Sequence, residues 1–148
     1  MRDELSPVLD RVVDGDALFL GTPIYLHNIT GAMQSFLERF IFMNLSYDDP
    51  EESYFDGRMN IGFFFAMGMP AEMMDSFNYG ALIENLMSWK DLFRGECAYM
   101  TSNDTYQFDD YSRYAAKLFD EKHKAEVRNE QFPKDCQSAY DLGKRLTE

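Results

Sequence analysis

The chain has 148 residues, 45% hydrophobic and 16% aromatic, a composition that builds a packed core and excludes a disordered chain. Its formal net charge is −12 with no basic cluster to offset it, which excludes duplex nucleic acid and anionic membrane as partners. The longest apolar run, residues 61–67, is far too short to span a bilayer, and Cys97 and Cys136 lack metal-ligand spacing and read as reduced thiols of a cytoplasmic protein.

Along the chain, residues 1–14 repeat Leu5, Val8, Leu9, Val12 and Val13 at helical spacing and stop at Gly15. Residues 16–20 read as a short strand, continuously apolar after Asp16, which suits a parallel strand covered on both faces. That strand is expected to end at Gly21-Thr22-Pro23, because Pro23 has no N–H for a ladder. Met33, Phe36, Leu37, Phe40 and Ile41 then form the stripe of an amphipathic helix, with Thr30 as its N-cap. Residues 44–57 read as an acidic, aromatic loop, and the acidic stretch 48–52 within it reads as solvated rather than as a metal site.

Residues 58–67, RMNIGFFFAM, are a second buried strand, broken by Gly68-Met69-Pro70. A long helix is predicted from Ala71 to Gly95, carrying Leu82, Ile83, Leu86, Trp89 and Phe93 on one stripe. Residues 96–100 are a third strand, followed by the polar loop TSNDTYQF. Asp109 or Asp110 is expected to cap a helix bearing Tyr111, Tyr114, Ala115, Leu118 and Phe119. Pro133 opens a last helix with Cys136, Ala139, Tyr140, Gly143 and Leu146 on its stripe. His123, between Lys122 and Lys124, reads as solvent-facing helix surface.

The order α-β-α-β-α-β-α predicts right-handed crossovers and a parallel sheet with helices on both faces. Ligands of such sheets bind beyond the carboxyl ends of the strands, where residues 21–29, 67–70 and 101–108 would meet. The first of these loops offers the Thr22 hydroxyl, backbone N–H groups and the Tyr25 ring. Those parts suit a planar heteroaromatic ring, and they equally make a plain strand-to-helix turn.

Thr22-Pro23-Ile24-Tyr25 followed by Phe36-Leu37-Glu38-Arg39 resembles a pattern of the flavodoxin-like NADPH-dependent FMN reductase and iron–sulfur flavoprotein family. DTYQFDDYSRY at 104–114 and FPKDCQSAYDLGKRL at 132–146 resemble the carboxyl-terminal part of the same family. The resemblance implies a flavodoxin-like three-layer α-β-α fold with a parallel sheet, an FMN cofactor and NAD(P)H as electron donor. It implies that Thr22, Pro23, Ile24 and Tyr25 position the flavin ring, with His27 and Asn28 at its edge. Met67, Gly68 and Met69 stand where the family meets the ring from the next strand, although methionine there also serves as core packing.

Against that family the chain reads as N-terminally truncated. The first strand, its Gly-Ser-Pro phosphate loop, the first helix and the second strand have no counterpart in it. The strand from Ala17 to Leu20 is then expected to be a sheet edge, covered by a second copy in a homo-oligomer or by a partner segment. Two functions follow: an FMN-binding NAD(P)H-dependent oxidoreductase, or a non-catalytic flavodoxin-like scaffold that has lost the cofactor.

Overall fold

The computed structural model describes residues 3–49 and 52–148. Part of the acidic stretch 48–52 and the first two residues of the opening helical pattern therefore lie outside the described residues. Helix α1 (Ser6–Val12) leads into β1 (Ala17–Tyr25), which turns back through the two-residue strand β2 (Asn28–Ile29). Helix α2 (Gly31–Phe42), β3 (Met59–Ala66), α3 (Tyr79–Met87), α4 (Lys90–Phe93), β4 (Arg94–Ser102), α5 (Glu121–Glu130) and α6 (Phe132–Thr147) follow.

The sheet order is β2-β1-β3-β4. β1 and β4 both run parallel to β3, as strands joined by crossover connections do, and only the short β2 is antiparallel. Alternation along the strands sorts the side chains into two layers. Leu20, Ile61, Phe63 and Cys97 face α2, α3 and α4, where Phe40 stacks on Phe93 at 4.6 Å and 2° from parallel. Phe19 and Gly62 face α6, and a side chain at Gly62 would collide with the Phe19 ring and press on Leu146. Helices thus cover both faces, and the chain is a three-layer α/β domain of the expected class.

β1 runs further than the residues suggest, through Pro23 in register with Ala66 and on to Tyr25. An edge strand tolerates a proline because one side of it needs no ladder. Among the described residues, no strand pairs with residues 17–23 on the side away from β3. Thr30 caps α2 as expected, its hydroxyl accepting from the Met33 N–H at 3.2 Å.

Two helices depart from the expected pattern. The stretch from Ala71 breaks into two 3₁₀ turns, residues 71–73 and 75–77, before α3 begins. Asn78 at φ 56° separates turn from helix, and Arg94 at φ 57° ends α4 one residue before Gly95. Asp110 does cap a turn, accepting from the Ser112 N–H, but that turn spans only Tyr111–Arg113. The regular helix forms later, as α5, with Asp120 as its cap through the His123 N–H. None of the described helices is long and apolar enough to cross a membrane.

Candidate functional site

Three loops leave the carboxyl ends of β1, β3 and β4 on the same side of the sheet and enclose a cleft of about 560 Å³. The floor is apolar, made by Ile24, Met67 and Met69, with Gly68 and Pro70 beside them. Tyr79 and His27 line the cleft, as do Asp104, His123 and Lys124. Volume and lining fall within the range of small-molecule sites.

The β1–β2 hairpin brings His27 to the cleft. Ile24 pairs with Ile29 and Tyr25 with Asn28, leaving Leu26 and His27 as a two-residue turn. Both turn residues have positive φ, 50° and 64°, the type I′ geometry that asparagine and glycine adopt at least cost. His27 is nonetheless held. Its ring lies on Phe77 at 4.7 Å and 9° from parallel, and its Nδ1 shares a hydrogen bond of 3.0 Å with the Tyr79 hydroxyl. Burial pushes the Tyr79 phenol above the usual tyrosine range, so it stays a neutral hydroxyl.

The loops after β3 and β4 are laced together. The Met67 N–H donates to the Ser102 carbonyl, Asp104 N–H to Met69 and Thr105 N–H to Met67, at 2.9, 2.9 and 3.1 Å. Asp104 sits at φ 53°, a conformation that aspartate adopts more readily than most residues. Lys124 is only 2% exposed, and its ammonium donates to Asp104 Oδ1 at 2.6 Å, to the Gly68 carbonyl at 2.9 Å and to the Thr105 carbonyl at 3.4 Å. Asp104 Oδ2 meets His123 Nε2 at 2.6 Å. A buried cation whose three hydrogens all have acceptors and whose charge has a counterion satisfies the conditions for leaving water.

The candidate residues read from the sequence divide. Ile24, His27, Met67, Gly68 and Met69 line the cleft. Thr22 turns its hydroxyl to the start of α2, within 3.3 Å of the Thr30 hydroxyl, and ties β1 to that helix. Thr22 and Pro23 border a different, almost wholly apolar hollow of about 350 Å³ beside Phe132 and Cys136 of α6. Tyr25 is 61% exposed and lines neither space. Asn28 is exposed, and its side chain accepts from the Ile29 N–H at 2.8 Å.

Asp104, His123 and Lys124 escaped the sequence reading. His123 is solvent-exposed on the helix surface, as expected, and its Nε2 also meets Asp104. A signal was available: a lysine and a histidine just after the Asp120 cap belong to the first turn of a helix, and that turn points at whatever the preceding loop presents. Among the described residues, no three His, Cys, Asp or Glu side chains come together as a metal-binding group.

No protein-family model and no curated protein matches the chain by sequence. Solved structures match it by shape. A crystal structure of an NADPH-quinone reductase from P. pentosaceus is similar over 82% of this chain and 70% of that one, with a TM-score of 0.52 and 8% sequence identity. At that identity the likeness is one of architecture, and it identifies the fold as flavodoxin-like.

Proposed function

We propose that the chain is a flavodoxin-like oxidoreductase whose carboxyl-end cleft seats a flavin ring, with NAD(P)H as the electron donor. The observation that carries this reading is the convergence of Ile24, Met67, Gly68, Met69 and His27 from two separate strand ends on one apolar cleft. The residues present fit a planar ring. Gly68 lines the cleft through its backbone, and a Cβ there would press on the Gln107 amide at 3.0 Å. Ile24, Met67 and Met69 offer apolar surface, and His27 with Tyr79 offers polar atoms for a heteroaromatic edge. Bound flavin supplies hydride acceptance and electron delivery, chemistry that no side chain performs. The name of the similar structure, an NADPH-quinone reductase, agrees with a ring-shaped acceptor.

The test is a titration of the purified chain with FMN, followed by fluorescence quenching and desalting. Saturable quenching with retained yellow colour supports the proposal. Absence of quenching at high-micromolar FMN overturns it and favours the scaffold reading instead.

A further inference from the structure

We propose that the open edge of β1 pairs with the same edge of a second copy of this chain, antiparallel about a two-fold axis at Phe19, so that two sheets become one.

The backbone of β1 sets what that edge offers. The Asn60 N–H donates to the Asp16 carbonyl at 2.9 Å, so the polar groups of Asp16 point at β3. Backbone groups alternate along a strand. Those of Leu18, Leu20 and Thr22 therefore point at β3 as well, and those of Ala17, Phe19 and Gly21 point away. On that side no strand of the described residues meets residues 17–23, and β2 pairs only from Ile24 onwards. A row of outward amides and carbonyls on an uncharged stretch is a template for another strand. The sheet face beside this row is open too. Phe19 touches Phe64 at 5.9 Å between ring centres yet is 39% exposed, and Gly21 has nothing within 4 Å of its missing Cβ.

A second copy fits this edge in one register. With Phe19 opposite Phe19 of the second copy, Ala17 falls opposite Gly21 in both directions. All three outward residues then exchange backbone bonds, about six in total. Both Phe19 rings lie on the α6 face, where each covers the exposed side of the other. Pro23, which has no N–H, stays outside the ladder. Sliding the axis to Gly21 sets Ala17 against Tyr25, which already pairs with Asn28. Sliding it to Ala17 sets Gly21 against Val13, which is helical backbone at the end of α1. Charge favours the same arrangement. Each copy carries −12, but residues 17–25 carry no charged side chain. Antiparallel pairing about Phe19 keeps the two Asp16 carboxylates roughly 20 Å apart, beyond the screening length of about 8 Å at physiological ionic strength. A parallel copy would lay one Asp16 beside the other.

The pairing is independent of whether flavin binds. Sedimentation of the wild-type chain through a dilution series is expected to show a monomer–dimer equilibrium that tightens with added salt, because salt screens the repulsion between two acidic copies. Amide exchange followed by NMR is expected to slow at Phe19 and Gly21 in the dimer and to recover on dilution. Phe19→Lys sets like charges across the axis and removes the ring contact, and it is expected to weaken the dimer about tenfold or more. That substitution also alters the packing against Phe64, so a second pair of variants reads the register. Opposite residues of a bonded antiparallel pair lie about 5.5 Å apart at Cα, within disulfide reach. Phe19→Cys in a Cys136→Ser background is expected to give a disulfide-linked dimer in an oxidising glutathione buffer, and Tyr25→Cys in the same background is not. A chain that stays monomeric at high-micromolar concentration overturns the proposal. So does a dimer whose Phe19 and Gly21 amides exchange as fast as in the monomer, or one that crosslinks through Tyr25→Cys and not through Phe19→Cys.

Discussion

Lys124 reaches Asp104 at 2.6 Å across the inner wall of the cleft and joins α5 to the loops after β3 and β4. Replacing one partner of such a buried pair leaves the other charged and unpaired. Lys124→Met is therefore expected to cost about 3 kcal/mol or more of unfolding free energy. Urea unfolding of the variant measures it. A loss under about 1 kcal/mol, the range of a surface ion pair, would contradict the burial of this lysine.

Gly95 and Gly143 make opposite predictions. A Cβ on Gly95 would run into the Met59 carbonyl across the β3–β4 pair, and that obstacle is backbone. Gly95→Ala should cost several kcal/mol, or about as much as a severe overpacking error, and show as loss of folded protein. Gly143 lies inside α6 with nothing within 4 Å of its missing Cβ. Gly143→Ala should raise stability by about 0.5–1 kcal/mol, read from the same urea curves.

Leu26 occupies the first turn position of the hairpin at φ 50° and is 97% exposed. Asparagine tolerates that backbone better than leucine and gives up no packing here. Leu26→Asn is expected to stabilise the chain by a few tenths of a kcal/mol, up to about 1 kcal/mol. A fall in melting temperature would mean that the leucine is covered in solution.

Asp3 and Arg39 give a pH dependence with a defined sign. The Arg39 guanidinium, 2.5 Å away, holds the Asp3 carboxyl down at about 2 from an ordinary 3.8. Because the folded pKa is the lower one, the contribution is complete above 3.8 and disappears as pH falls towards 2. Carboxyl-detected NMR titration should find Asp3 near 2 in the wild-type chain and back in the ordinary range in Arg39→Gln.

The two cysteines should separate by reactivity. Burial pushes the Cys97 thiol up to about 11, so it is protonated at neutral pH, while Cys136 is exposed. Iodoacetamide at neutral pH is expected to label Cys136 first, with Cys97 reacting on the timescale of unfolding, as mass spectrometry of time points would show.

The strands, the Thr30 cap and the meeting of three loops were legible because each rests on local pattern plus the handedness of crossovers. The division of the loop residues was not. Whether Thr22 faces the ligand or α2 depends on β1 continuing in register through Pro23, and one residue of strand length moves a side chain to the other face. The helix expected over residues 111–119 failed because Tyr111 packs edge-on against Tyr106 and Phe108, ring contacts that periodicity does not encode. Lys124 was hidden by its type: lysine is normally outside, and only the fold reveals the acceptors that let it in.

The lacing of residues 67–69 to residues 102–105 continues the sheet past the ends of its strands, so the cleft has a stiff bed. Its lips are different: Leu26 and Leu118 stand on either side of the mouth at 97% and 98% exposure, the barest large apolar side chains among the described residues. A molecule approaching the mouth therefore sheds water against grease before it meets a charge. The apolar rim and the hydrogen-bonding groups deeper in the cleft belong to different residues, so each is open to separate adjustment.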